Sequence, residues 1–370
     1  MTHRLNYALT LLLVLLLAGC SSTPSDTMAR KAQYWPEPPA LPRFVHEFSL
    51  RNSLDIHQLS EEEKMMAFVS GTDKEGVRLG KPFALVARQG RIYITDSAIN
   101  QVHVFDIPRS RYFRMGYRFE GALADPKGIA LDQQGFIYVV DGSAKRVVVY
   151  DAMGLFSKEI ELGDDVTKPT GIAVTADGNA LYVVDTGGID SDEHRVIRYA
   201  SDGTRHSVIG TRGSADGEFN LPVDVALGTD GLLYVLDAGN FRVQVFDQGQ
   251  FVHSWGSVGS GPGQLARPRS ISTDAEGNIY VSDTQFTNVQ LFNPQGQLLL
   301  AIGKRGFTDA DGELTLVAGI TLDETGRLFV IDQKNRKVEA YRPISAPEGA
   351  QILAQYASEK AARIKKYKNR

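Results

Sequence analysis

Between residues 126 and 150 the chain alternates short apolar runs with polar turns: PKGIALDQQGFIYVVDGSAKRVVVY. The runs at 128–131, 136–140 and 146–150 are filled by β-branched and aromatic residues, and the interruptions at 132–135 and 141–144 by Asp, Gln, Gly and Ser. That pattern predicts three short strands joined by tight turns. The phrase recurs along most of the chain. An aspartate follows the second strand at Asp96, Asp141, Asp185, Asp237, Asp283 and Asp332, spacings of 45, 44, 52, 46 and 49 residues by subtraction. Three positions earlier stands an aromatic: Tyr93, Tyr138, Tyr182, Tyr234, Tyr280 and Phe329. Nine positions later stands a second: Phe105, Tyr150, Phe246, Phe292 and Tyr341, with Tyr199 joining them once an insertion at 190–194 is allowed. A proline opens five units (Pro82, Pro126, Pro169, Pro222, Pro268), and Val317 opens the sixth.

Six units of this length, with about four strands each, predict an all-β, six-bladed β-propeller over residues 43–346. Each of the first five units is followed by an outer strand, such as 156–162 or 251–255. After the sixth, Pro343 and Pro347 break the chain. The spare strand is the alternating segment Phe44–Leu50, which is expected to pair as the outer strand of the last blade and so remove an open sheet edge. Ser60 and Glu63 form a capping box ahead of Met65, Phe68 and Val69, which predicts a short helix ending at Gly71. Residues 347–370 read as a basic C-terminal helix or tail, helical from 350 to about 366. Its Lys360, Arg363, Lys365, Lys366, Lys368 and Arg370 are read as solvated.

The N-terminus lies outside this repeat. A weakly basic start and the apolar run 8–17 are too short to span a bilayer, and residues 1–19 read as a signal peptide. Leu17-Ala18-Gly19-Cys20 resembles the lipobox of bacterial lipoproteins, which implies a lipidated Cys20 as the first mature residue; Ser21 after it implies sorting to the outer membrane. Residues 20–42, rich in Ser, Thr and Pro, read as a stiff extended tether, with Trp35 packing on the propeller rim. Cys20 is the only cysteine, so no disulfide forms within one chain. A formal net charge of −4 argues against nucleic acid as a partner.

The phrases Pro-x-Gly-Ile-Ala-x-Asp, Gly-x-Ile-Tyr-Val-x-Asp and Arg-Val-x-Val-Phe/Tyr-Asp, clearest at 126–151, 222–247 and 268–293, resemble the NHL repeat. The resemblance implies a propeller whose inner strands carry small residues near a crowded axis. The whole layout resembles bacterial envelope lipoproteins, some of whose relatives occur near exported multihaem cytochromes or polysaccharide systems. The role of such lipoproteins is unassigned, and the reading favoured here is a non-enzymatic, monomeric scaffold for an envelope partner. A carbohydrate- or cell-wall-binding propeller is one alternative, and an axial-site enzyme like the lyases and lactonases of this fold is another.

Chemistry is sparse. The six aspartates are expected to cap their own blade turns, with Arg146 and Arg242 positioned to pair, and are not read as a metal ring. The acidic insertion Asp190, Asp192, Glu193 reads as a solvated loop. One and two positions after each opening residue, where side chains face the axis, there is no histidine and a single carboxylate, Asp224. No metal and no cofactor is expected, since tight sites need several converging ligands. Lys127, Asp224 and Arg269 break the small or apolar rule of the inner strands. Two readings stay open: a channel mouth that holds an anionic group, or an Asp224–Arg269 pair that ties blades four and five.

Overall fold

A computed structural model describes residues 32–56 and 76–368, together with Glu62, Met65, Met66 and Val69. Residues 1–19, expected as a signal peptide, and Cys20 lie outside the described residues, as does most of the helix expected at 60–71; Met65 and Val69 of that helix are exposed.

Five four-stranded antiparallel sheets and one five-stranded sheet form six blades. The innermost strands are Pro82–Arg88, Pro126–Leu131, Pro169–Val174, Pro222–Leu227, Pro268–Thr273 and Val317–Leu322, and each touches the inner strands of two neighbours, closing a ring. Outer strands such as Phe156–Glu161 and Gln250–Trp255 complete the blades.

The middle strands are apolar on both faces because each blade is sandwiched between two others. In Ile137–Asp141, Ile137 and Val139 pack toward blade one, while Tyr138 and Val140 pack toward blade three. Successive side chains point to opposite faces of a strand, so one run serves two interfaces. Six hydrophobic clusters result, one per pair of neighbouring blades. The first aromatic column has a polar duty as well: the hydroxyls of Tyr138, Tyr234 and Tyr280 donate to Asp132, Asp230 and Asp274 in the turn between the first two strands, at 3.1, 3.3 and 3.1 Å.

Phe44–Leu50 pairs antiparallel with Lys337–Pro343, from Phe44 opposite Pro343 to Leu50 opposite Val338. The last blade therefore draws on both ends of the repeat region. Tyr34–Trp35 adds a fifth strand outside it, and the buried Trp35 meets Tyr341 edge-on with ring centroids 5.0 Å apart. This corrects the boundary of the tether at residue 42. The compact body begins at Tyr34, because an indole offered beside a blade edge is buried rather than left in a spacer. The C-terminal helix spans Ala346–Lys368, longer than the expected 350–366; Pro347 is tolerated in its first turn, where its missing N–H is not needed.

Candidate functional site

The site is built where each inner strand begins. The opening residue pairs with the blade aspartate, as in Pro126 opposite Asp141 and Pro268 opposite Asp283. Directly afterwards the register shifts in all six blades. Proline has no N–H to continue the ladder, and the resulting bulge re-aims the next side chains. Those side chains, among them Lys127, Thr170, Asp224 and Arg269, line a cavity of about 260 Å³ at the axis.

At Gly128 and Gly171, second after their opening prolines, the packing leaves no room for a side chain. A Cβ on Gly128 would lie 2.5 Å from the Thr170 carbonyl oxygen, and one on Gly171 only 2.7 Å from Asp224 Cα and 2.8 Å from its Oδ1. Carbonyls freed by the bulges are taken up by hydroxyls of the preceding blade. Thr95 donates to Lys127 O (2.8 Å), Thr186 to Pro222 O (2.7 Å), and Ser282 to Ala318 O (2.8 Å).

All six blade aspartates are fully buried. Some accept from the turn that follows, as Asp96 does from Ala98 N and Asp283 from Gln285 N, each at 2.9 Å, and all six also hold the segment that leads into the inner strand. Asp141 accepts from Ala124 N and Asp125 N at 3.0 and 2.8 Å, Asp283 from Ala266 N and Arg267 N at 2.8 and 3.0 Å, and Asp332 from Thr315 N and Leu316 N at 2.9 and 3.1 Å. Asp185 does the same for Lys168 N, and Asp237 for Asn220 N. Asp96 takes Lys81 N at 2.8 Å and the ring of His103 at 3.0 Å; burial pushes its carboxyl up, but His103 and the backbone N–H groups win and hold it at about 2. Arg242 reaches Asp237 at 2.9 Å and Arg146 reaches Asp141 at 3.6 Å. Each carboxylate is used within its own blade.

Asp224 does not pair with Arg269. Its Oδ2 accepts from Ser270 Oγ at 2.6 Å and from Ile271 N at 3.1 Å, so it ties blade four to blade five through the hydroxyl next to Arg269 rather than through the guanidinium. Burial in the channel pushes the Asp224 carboxyl up to about 6, against those hydrogen bonds and one from Val225 N. Lys127 is held by Asp125 at 2.7 Å, with its ammonium over the Phe83 ring at 5.2 Å. Arg269 is exposed and has no hydrogen-bond or ion-pair partner among the described residues. Sequence reasoning missed Lys168, which lines the same cavity and whose ammonium likewise has no partner among the described residues. It stands one position before Pro169, and reading that column beside the two after it would have found it. Among the described residues, no three His, Cys, Asp or Glu side chains gather in a metal-holding arrangement.

The NHL repeat family matches this chain at residues 123–150 and 219–246. NHL repeat-containing protein 3 of Homo sapiens is 36% identical over 85 residues, 21% of this chain and 24% of that protein. Its Mus musculus counterpart is 27% identical over 189 residues, 46% of this chain and 53% of that protein. The chain thus spans between a quarter and about half the length of these curated relatives. A streptogramin B lyase superposes with a TM-score of 0.53 at 15% identity, covering 71% of this chain and 94% of the lyase. A gluconolactonase from Xanthomonas campestris superposes with a TM-score of 0.55 at 17% identity, covering 81% and 98%. At such identities the likeness is one of fold. The chain carries NHL repeats in a six-bladed β-propeller.

Proposed function

We propose that this propeller is a non-enzymatic binding scaffold, held at the bacterial outer membrane by lipid on Cys20, that grips an acidic group of an envelope partner at one mouth of its axial channel. The observation that carries the reading is the convergence of Lys127, Lys168 and Arg269 on one cavity, two of them without an acidic partner among the described residues. A cation left unpaired beside a half-enclosed cavity is available to an incoming anion, and a low-dielectric wall strengthens the attraction. A cavity of this size admits an end group rather than a whole chain, so the partner offers a terminal carboxylate or an acidic sugar. An exported multihaem cytochrome or a polysaccharide system fits that description. The test is Lys168→Ala with Arg269→Ala, assayed for stability and for capture of the partner in the envelope. Capture should fall while the melting temperature holds, because neither side chain supports a blade. Unchanged capture refutes the mouth; turnover of a lactone, abolished by Asp224→Asn, would point to an axial-site enzyme.

A further inference from the structure

A second surface lies at the rim, between the outer strands of blades one and two. There a groove of about 490 Å³ runs between the segment 113–121 and the turn 153–156. Five large apolar side chains stand exposed in it: Phe119 at 91%, Met153 at 71%, Leu155 at 59%, Tyr117 at 46% and Phe156 at 36%. Single exposed apolar residues are ordinary, but five in one groove mark an interaction site.

The groove is built in advance. Leu123 N donates to Gly116 O at 2.9 Å and Ala122 N to Phe119 O at 3.0 Å, closing the loop on itself. Tyr150 Oη donates to Gly121 O at 2.5 Å, pinning it to blade two. A Cβ on Gly121 would come within 3.0 Å of Phe156, so the backbone lies directly on the groove floor. Phe119 holds a left-handed backbone, φ 53°, at the loop tip, a costly conformation for a bulky residue.

Arg114 and Arg118 line the groove and have no hydrogen-bond or ion-pair partner among the described residues; the Arg118 guanidinium lies 4.8 Å from the Tyr117 ring centre. Several other arginines of the body are matched to acids, among them Arg91, Arg146, Arg195, Arg242, Arg327 and Arg342. Aromatics, methionine and arginine around an apolar centre form the residue signature of protein interfaces. The groove has one carboxylate, Glu120, against the guanidinium groups of Arg114 and Arg118, and Met153 and Leu155 stand among the rings where a saccharide site would set further polar groups. The chain's own N-terminal segment is a poor match in charge: residues 1–31 hold one acid, Asp26, against Arg4, Arg30 and Lys31.

We infer that this rim groove docks an acidic, amphipathic peptide segment of a partner protein, its apolar side chains on Phe119, Met153 and Phe156 and its carboxylates on Arg114 and Arg118. The probe is a random-peptide library displayed on phage, selected on the folded chain and counter-selected on a Phe119→Ala, Arg118→Glu double variant. Selected peptides should carry Asp or Glu interleaved with Leu, Phe or Trp. Their affinity, read by fluorescence anisotropy, should fall about tenfold or more in Phe119→Ala, the scale on which an aromatic anchor registers. It should also weaken with added salt, and neither variant should change the melting temperature, since both side chains lie at the surface. The inference is overturned by selected peptides that bind the double variant as tightly as the unaltered chain, by enrichment of basic sequences, by oligosaccharides binding through Phe119 where peptides do not, or by a concentration-dependent dimer abolished by Phe119→Ala.

Discussion

Asp224 shows how one residue joins structure to recognition. Its carboxylate links two blades through Ser270 and Ile271, yet it stands in the cavity that gathers the cations. Its folded-state value of about 6 lies above the ordinary 3.8, so folding favours the protonated form. The associated stabilisation is complete below about pH 4 and is lost as pH rises through about 6. Asp224→Asn keeps an acceptor for Ser270 and removes the buried charge. It should melt above the native protein at pH values well over 6 and match it below about pH 4. Thermal scans across that window decide the matter: a pH-independent difference sinks it. The sign for binding follows, because an ionised Asp224 repels an anion, so mouth affinity should weaken over the same rise.

Among the elements, the closing strand Phe44–Leu50 carries the greatest responsibility. It buries Phe44 and Leu50 and brings His46 and Ser49 to Glu339, each at 2.6 Å, while Lys337 meets the same carboxylate at 2.7 Å. Glu339 is buried; burial pushes its carboxyl up, but His46, Lys337 and Ser49 outweigh that and hold it below the usual range. Removing the strand would therefore strip partners from a buried charge as well as open a sheet edge. Deleting residues 32–50 should lower the melting temperature by about 10 °C or more, given three large buried side chains lost with it. Calorimetry on the truncated chain checks this, and an unshifted transition would show that the ring closes without it.

For the whole molecule, the division of labour is between a ring stabilised at six equivalent interfaces and two surfaces that the ring merely carries. Because both sites are assembled from bulges and linkers, substitutions there should affect binding more than stability. The proposed lipid anchor is a separate matter. Cys20→Ser should release the protein from the membrane fraction and leave the propeller's melting curve unchanged. Acyl mass on the N-terminal peptide of the unaltered protein is the direct measurement, and its absence together with continued membrane association would refute lipid anchoring.

Sequence alone determined the ring. Alternation of period two, the aspartate after each second strand and the two aromatic columns follow from local geometry repeated six times, so they survive in the linear order. The closing strand was legible for the same reason: Pro343 and Pro347 leave a blade short of one strand, and Phe44–Leu50 has the matching alternation. Tertiary structure decided what those residues touch. The sequence offered Trp35 to the rim but not its partner, because Tyr341 stands some three hundred positions away. Asp224 chose Ser270 over Arg269 because the bulge after Pro268 turns the guanidinium toward the mouth, and register shifts leave no trace in composition. The rim groove was invisible for a similar reason. Tyr117, Phe119, Met153 and Phe156 are unremarkable apart, and only the packing of two neighbouring blades places them on one surface.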